Sequence, residues 1–411
     1  MNNFKSFITE SKNTHMTHIE DKVIYGGVKG TREAILALRS LRDMLKGEHD
    51  GSVSVKWDGA PAIIAGTDPR DGKFFVGTKG VFNKNPTVYK TAADVNASSA
   101  PSGLAAKLKD ALKYLPELGI KGVIQGDFLY SKSDLSTTTI KGEKYITFHP
   151  NTIVYAVPVD SDFGMKIKSS KIGIVWHTTY TGDALQDMKA SFGVNIKGLS
   201  TPSSVWMDDA TYKDVSGKAT MTTKETEAVT KSLSGAGKTF QKINSSALTK
   251  FLRIQDTFTG NLAGASLKTY YNSKVREGKP INNPKKHAEG YLKWVSNVYD
   301  KRIKSLKTEK SQTKVANEQK EMLRELKKHT KNLEQVILFQ NYLIEAKMGI
   351  VKKLNSVKQL TDTFIRTSNG YKVVNPEGFV AIDRVSGNAV KLVDRMEFSF
   401  NNFTAIKAWD R

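Results

Sequence analysis

The spacing of hydrophobic residues changes several times along the chain, and the changes predict alternating helical and extended regions. Residues 15–47 place Ile35, Leu38 and Leu41 at helical spacing, and Gly47 suits a helix C-terminus. Residues 51–82 instead carry short apolar runs separated by turn residues, notably at 67–73. We therefore expect an amphipathic helix followed by a β-meander.

Further strands and a long helical region are predicted downstream. After a helix at 102–119, four apolar runs reach Tyr180 and predict strands. Residues 208–355 are rich in Lys, Glu, Ser, Thr and Ala and have helical periodicity. From 371 the pattern predicts strands again, including the MEFSF run at 396–400. Either two β domains or one interrupted β domain fits, and because no internal repeat is present, we favour a helical insertion.

Composition and charge narrow the classes of function. The chain has 411 residues, enough for two or three domains, and no apolar stretch long enough to span a membrane. Its lack of cysteine excludes disulfides and thiol chemistry. Lys and Arg total 63 against 41 Asp and Glu, a net charge of +22, which favours a polyanionic partner over a merely basic surface. Residues 301–330, with ten Lys/Arg and four Glu, are either a solvated face or a surface for phosphates.

Two charged residues interrupt the apolar run SVSVKWDGAPAII at 52–64. In a strand, Lys56 and Asp58 would face the same side. Gly59 would then allow a ligand to approach the backbone closely. A lysine held in a cleft loses its proton more easily, and the neutral amine is a nucleophile. The pair is therefore either a buried ion pair or part of an active site.

Other charged residues also lie within or beside apolar strands, and their order along the chain is informative. These residues are Lys79, Asp127, Glu377 and Lys391, each beside a glycine or within a short apolar run. In this order the residues resemble the motifs of the covalent nucleotidyltransferases, the family of ATP-dependent DNA ligases, RNA ligases and mRNA capping enzymes. The matches are Lys56-Trp57-Asp58-Gly59 to motif I, FFVGTKG to the F-x-S-K-G element of phage-type RNA ligases, Gly126-Asp127-Phe128 to motif III, TIVYAVPV to the adjoining strand (motif IIIa), PEGFVAI to motif IV and Val390-Lys391-Leu392 to motif V.

The resemblance implies a fold and a division of the chain. The expected fold is α+β, with an antiparallel β-sheet nucleotidyltransferase core (ATP-grasp-like, as in ligases) and a large, mainly α-helical insertion. The expected parts are an N-terminal leader or arm at 1–14, the first part of the core at 15–207, a basic helical insertion at 208–355 and the last part of the core at 356–411.

The resemblance also implies the chemistry of the site. Lys56 would attack the α-phosphate of ATP and become linked to AMP. Lys391 and Lys79 would neutralise phosphate charge. Asp127 and Glu377 would bind the ribose or a metal, Mg²⁺ or Mn²⁺.

Three further residues of the motif I-like and motif III-like segments complete the expected nucleotide-binding site. Asp58 would orient the nucleophile or a metal-bound water, and Gly59 would border the nucleotide. Phe128 would form an apolar wall against the base. The AMP would then pass to a 5′-phosphate end, and a 3′-OH would displace it.

Departures from the family pattern shift the expected function. Pro61 stands where DNA ligases and capping enzymes usually carry Arg, and Asp127 stands where motif III usually has Glu. Twenty residues follow Lys391, which leaves no room for a C-terminal OB-fold. We therefore expect an RNA-ligase-like enzyme that acts on RNA or DNA ends. The alternatives are an ATP-dependent DNA ligase, nucleotidyl transfer to another acceptor, and a non-catalytic nucleic-acid-binding or capsid-interior phage protein.

The N-terminal stretch NNFKSFITE resembles the short leader of tailed-phage virion proteins, which a prohead protease cuts after a Leu/Ile-x-Glu pattern. Here the cut would follow Glu10. This resemblance implies a protein made in the cytoplasm of an infected host cell and packaged in the virion. The alternative is an ordinary first helical turn.

Overall fold

The structure is a computed structural model of the whole chain. It describes residues 17–46, 53–140, 142–210, 220–356, 361–367, 370–375, 377–382 and 389–405. The predicted leader or arm at 1–14, with its cleavage site, lies outside these residues.

The described residues form a mixed α+β fold in which antiparallel strands dominate. The helices are α1 (Lys22–Lys46), α2 (Ala92–Asn96), α3 (Ser102–Tyr114), α4 (Asp162–Ser169), α5 (Thr223–Phe240), α6 (Ser245–Thr257), α7 (Leu267–Arg276), α8 (Pro284–Lys304), α9 (Glu309–Lys328), α10 (Thr330–Asn355) and α11 (Phe400–Thr404). The strands are β1 (Val53–Lys56), β2 (Ala62–Thr67), β3 (Phe74–Gly77), β4 (Val123–Ser131), β5 (Ser136–Ile140), β6 (Glu143–Phe148), β7 (Ile153–Pro158), β8 (Ile172–Thr181), β9 (Lys189–Phe192), β10 (Val205–Asp209), β11 (Asp362–Thr367), β12 (Gly370–Val373), β13 (Gly378–Ile382) and β14 (Ala389–Leu392).

The strands are arranged in three sheets. The small sheet has the order β1-β13-β14, and the central sheet has the order β10-β8-β4-β2-β3 with β9 beside β8. The third sheet has the order β12-β11-β7-β6-β5. Neighbouring strands are antiparallel except β10 and β8, which are parallel. The small sheet therefore joins a strand from residues 53–56 to two strands from the C-terminal region.

Hydrophobic cores hold these layers together. One face of the central sheet packs against α3, and its other face contributes to a core shared with the third sheet. A separate, larger core unites α1 with the helices of residues 223–355. Phe379 and Leu392 of the small sheet belong to this helical core. The small sheet thus joins the helical layer to the β-rich layers.

Helix α1 bends near its start. Gly27 has φ +53°, a left-handed conformation that favours glycine, so the first helical turn is offset from the rest of α1. The hydroxyl of Thr31 donates to the Gly27 carbonyl at 2.7 Å and stabilises the bend. Because α1 packs on α5, α6 and α10, the first predicted part of the core shares its packing with the predicted insertion. The division into domains stays a prediction.

Three local expectations are wrong. The meander predicted at 51–82 is broken, because β1 and β2 belong to different sheets. The TIVYAVPV segment, β7, does not adjoin the motif III-like strand β4, whose neighbours are β2 and β8. The MEFSF run is not a strand but a π-helical turn, Arg395–Ser399, leading into α11. The Asp394 carboxylate caps that turn by accepting from the backbone N–H groups of Met396 and Glu397.

Among the described residues, no helix is long and apolar enough to cross a membrane. The mixed α+β class is confirmed, whereas the nucleotidyltransferase identity of the core stays a prediction.

Candidate active site

A polar cavity of about 380 Å³ lies between the small sheet and the helical layer. Lys56, Glu377 and Lys391 line it from the small sheet or its edge, and Asp127 lines it from β4. Helix α7 and the residues around α11 also line it. With Asp58, which also lines it, the cavity brings together five of the charged residues that the sequence singled out.

Strand pairing places the three small-sheet residues side by side. Lys56 is paired with Gly378, the residue after Glu377, and Lys391 is paired with Val380. The Lys56 ammonium donates to one carboxylate oxygen of Glu377, and Lys391 Nζ lies 3.6 Å from the other. A single buried carboxylate therefore contacts two lysines.

Burial and charge shift the pKa values of all three groups. Burial raises the pKa of Glu377 to about 7, with the nearby Asp58 charge adding to the rise, although both lysines oppose it. Burial lowers the pKa of Lys391, and the positive charge of Lys56 contributes. Burial also opposes the charged form of Lys56, but the carboxylates of Glu377 and Asp127 raise its pKa overall. Lys56 is therefore an ammonium in this arrangement, beside a carboxyl group that titrates near neutrality.

Asp58 has a different setting from the one that strand alternation predicts. Strand β1 ends at Lys56, so Asp58 lies in the loop that follows. Its carboxylate accepts from the side-chain N–H of Asn151 at 2.6 Å and from the backbone N–H groups of Thr152 and Ile153 at 2.7 and 2.8 Å. Burial raises the pKa of Asp58, against these hydrogen bonds. Asp58 borders the cavity, but its hydrogen bonds attach the loop after Lys56 to the start of β7.

Gly59 lines the cavity, as expected, and also packs closely against the protein itself. A Cβ atom at Gly59 would lie 2.5 Å from Cβ of Asp127 and 3.1 Å from a methyl carbon of Leu129. The loop therefore approaches β4 more closely than a residue with a side chain would allow. This contact holds Asp127 beside the loop that carries Lys56. On the other side of Asp127, His177 Nε2 of β8 lies 3.8 Å from a carboxylate oxygen.

Two predicted binding residues lie apart from the cavity. Phe128 is fully buried in the core between the central sheet and α3, so the expectation that its ring faces a nucleotide base is wrong. Strand alternation explains this, because Asp127 and Phe128 point to opposite faces of β4. Lys79 is exposed, begins the turn after β3 and does not line the cavity.

Sequence reasoning missed residues that the helical layer and the chain termini bring to the site. His18 forms a β-bridge with Lys391, and Asp21 pairs with the guanidinium of Arg395. Burial lowers the pKa of His18 well below its usual value, and the charge of Arg395 adds to this effect. Lys268 and Asn272 reach the cavity from α7. The sequence carried little signal for Arg395, because the MEFSF pattern around it favoured a strand.

A protein family described as a family of unknown function (DUF6267) matches residues 13–407. The chain belongs to this family. No curated protein and no solved structure matches the chain.

The predicted metal requires side chains in the DUF6267 chain that can act as its ligands. Within the described residues, no three His, Cys, Asp or Glu side chains form a group that could hold a metal ion. Glu377 already contacts two lysines. Mg²⁺ commonly takes only one or two protein carboxylates and completes its shell with water and substrate phosphates. Asp127 fits such a site as a single ligand, whereas the side chains alone do not form a cage.

Proposed function

We propose that this protein is an ATP-dependent nucleotidyltransferase that carries AMP on Lys56 and transfers it to a nucleic-acid end. The observation that carries the proposal is the contact of one buried carboxylate, Glu377, with both Lys56 and Lys391. A simple structural ion pair requires one lysine. Two lysines and a carboxyl group with a pKa near 7, at the wall of a polar cavity, suit phosphoryl chemistry better.

The first step is attack by Lys56 on ATP. The Lys56 nitrogen forms a bond to the α-phosphorus, the bond from that phosphorus to the oxygen bridging to the β-phosphate breaks, and pyrophosphate leaves. The ammonium must first lose a proton, and Glu377 is the base in contact with it. Lys391 balances the negative charge that grows on the α-phosphate oxygens.

A divalent metal would assist by neutralising phosphate charge when it is bound. Asp127 is the side chain that would hold it, together with the nucleotide phosphates. Arg395 is less suited to bind phosphate directly, because its guanidinium already pairs with Asp21.

The second half of the reaction passes AMP to a 5′-phosphate end, and a 3′-OH then displaces it. The net charge of +22 supports a polyanionic acceptor. An RNA-ligase-like activity remains our first choice, and a DNA ligase is the alternative. A single-stranded RNA and a nicked DNA duplex, each with a 5′-phosphate, distinguish the two by which one is sealed.

Self-labelling tests the proposal directly. Incubation with ATP labelled at the α-phosphate and Mg²⁺ is expected to leave label on the protein that is stable to base and labile to acid. Lys56→Ala is expected to abolish the label. Lys73→Ala, which changes an exposed lysine in the turn between β2 and β3, is the matched control and is expected to label normally.

Two results would contradict the proposal. Equal labelling of wild type and Lys56→Ala would remove Lys56 from the chemistry. No labelling of wild type, together with salt-sensitive binding of nucleic acid, would favour the non-catalytic alternative. Labelling by GTP in place of ATP would redirect the assignment towards capping chemistry.

A further inference from the structure

Two exposed aromatic rings lie at the edge of the cavity. Tyr25 is 49% exposed and Phe403 is 37% exposed, and both line the cavity. Tyr25 is in the first turn of α1, which the bend at Gly27 offsets from the rest of the helix. Single exposed rings are ordinary on a protein surface, so the relevant observation is that both rings lie at the edge of the same polar cavity. At that position both rings are accessible to a ligand that extends out of the cavity.

A cation accompanies each ring, and both cations come from α7. Lys268 Nζ lies 6.0 Å from the centre of the Tyr25 ring, and the guanidinium of Arg276 lies 4.6 Å from the centre of the Phe403 ring. Within the described residues, neither cation has a carboxylate partner within salt-bridge distance. Their charges are thus available to an anion.

Helix α7 orders these groups in a row. Lys268, Asn272 and Arg276 are four residues apart, so they share one face of the helix. Eight residues at 1.5 Å each separate the Cα atoms of Lys268 and Arg276 by about 12 Å along the helix axis. The opposite face of α7 carries buried residues, Leu267 and Tyr270, and fixes the helix in the core. We call the row formed by Tyr25, Lys268, Asn272, Arg276 and Phe403 the α7 ledge.

We propose that the α7 ledge binds a single-stranded nucleic-acid end beside the nucleotide cavity. Bases of a single strand stack on aromatic rings and guanidinium planes, and its phosphates pair with lysine and arginine. A duplex keeps its internal bases stacked on one another and exposes only the outer faces of its terminal base pairs, so it offers fewer base faces to Tyr25 and Phe403. The inference rests on the proposed function, since it names the acceptor that would receive AMP from Lys56.

Binding of dye-labelled strands to the full-length protein, measured by fluorescence anisotropy without ATP, tests the ledge. Wild type is expected to bind a single strand about tenfold or more tightly than the matching duplex. Tyr25→Ala/Phe403→Ala is expected to lose this preference, whereas Tyr25→Phe/Phe403→Tyr keeps both rings and is expected to retain it. Phe192→Ala removes an exposed ring on β9 and is the matched control.

Salt dependence tests the two cations. Lys268→Ala/Arg276→Ala is expected to reduce the slope of log affinity against log salt by about 1.4, since each single-strand phosphate contact contributes about 0.7. The control is Lys166→Ala/Lys168→Ala on α4, which is expected to leave the slope unchanged. Binding of single-stranded RNA, of single-stranded DNA or of both supports the proposed role of the α7 ledge. The strand that is bound more tightly identifies the acceptor.

Three outcomes overturn the inference. They are equal binding of duplex and single strand by wild type, unchanged binding by Tyr25→Ala/Phe403→Ala, and displacement of the strand from wild type by AMP, which would assign the ledge to the mononucleotide. Self-labelling of wild type is measured separately. A protein that labels with ATP but lacks the single-strand preference contradicts the ledge alone, and the reverse result contradicts nucleotidyl transfer alone.

Discussion

Lys56 donates a hydrogen bond to Glu377 although 321 positions of sequence separate the two residues. The antiparallel pairing of β1 with β13 makes this contact, because Lys56 is opposite Gly378. Glu377 has its pKa raised to about 7, mainly by burial. A base that titrates near neutrality therefore contacts the candidate nucleophile.

The rate of self-labelling is expected to depend on the ionisation of Glu377. Below pH 7 the carboxyl group holds its proton and cannot accept one from Lys56, so labelling rises as the pH increases through about 7. Glu377→Gln is expected to lower the rate by about 10²-fold or more and to remove this rise. Single-turnover labelling between pH 6 and 8, about one unit on each side of that pKa, measures both effects.

The control for this experiment shows that the Glu377→Gln variant is folded like wild type. Glu377→Gln and wild type should give the same circular dichroism spectrum at each pH. An unchanged rate and pH profile in the folded variant would show that Glu377 does not take the proton.

The same pKa shift predicts a pH dependence of stability. The unfolded carboxyl group loses its proton near pH 4.5, whereas the folded one keeps it up to about pH 7. The unfolded state thus binds fewer protons in this window, and the free energy of unfolding falls as the pH rises. Between pH 4.5 and pH 7 the free energy of unfolding of wild type should fall by about 3 kcal/mol relative to that of Glu377→Gln. Urea unfolding at a series of pH values measures this, and a constant difference would contradict the shift.

The sequence predicted the small-sheet part of the site well and the helical part poorly. Lys56, Glu377 and Lys391 were predictable because a charged residue in a short apolar strand is conspicuous, and their motif order implied proximity. Arg395 and His18 were not, since their contacts depend on how the helical layer packs against the small sheet. Local periodicity does not encode such packing.

The fold, like the site, was only partly predictable from the sequence. Helices α1 and α10 were predictable from their apolar spacing, because amphipathic helices leave a clear periodic signal. Strand partners were not, because pairing between distant segments is set by the whole structure. The separation of β1 from β2 into two sheets, and the distance of β7 from β4 in strand order, are examples.

Asp58 is expected to contribute mainly to stability. Asp58→Ala removes the acceptor of two buried backbone N–H groups and one amide, so it should lower the free energy of unfolding by about 3 kcal/mol. Asn151→Ala removes one of the three bonds and should cost about 1 kcal/mol. Urea unfolding compares the two variants. A stable Asp58→Ala protein that fails to label would instead assign Asp58 to the chemistry.

A buried ion pair between Glu20 and Lys347 links the segment before α1 to α10. Lys347 Nζ lies 2.9 Å from both carboxylate oxygens, and both side chains are almost completely buried. Next to this pair, Gln340 donates to the backbone carbonyl of Glu20 and to the carboxylate of Asp21, which itself binds Arg395 at the cavity. The pair therefore fixes the segment that forms one wall of the site.

Removing one partner of the pair is expected to destabilise the protein more than removing both partners. Lys347→Met leaves the Glu20 carboxylate buried without its partner and should lower the free energy of unfolding by about 3–5 kcal/mol. Glu20→Gln/Lys347→Met removes both charges and should recover most of that loss. A double-mutant cycle by urea unfolding measures the coupling, with Lys353→Met on the same helix as the exposed-pair control. Additive losses would contradict a coupled pair, because two independent residues cannot compensate for each other.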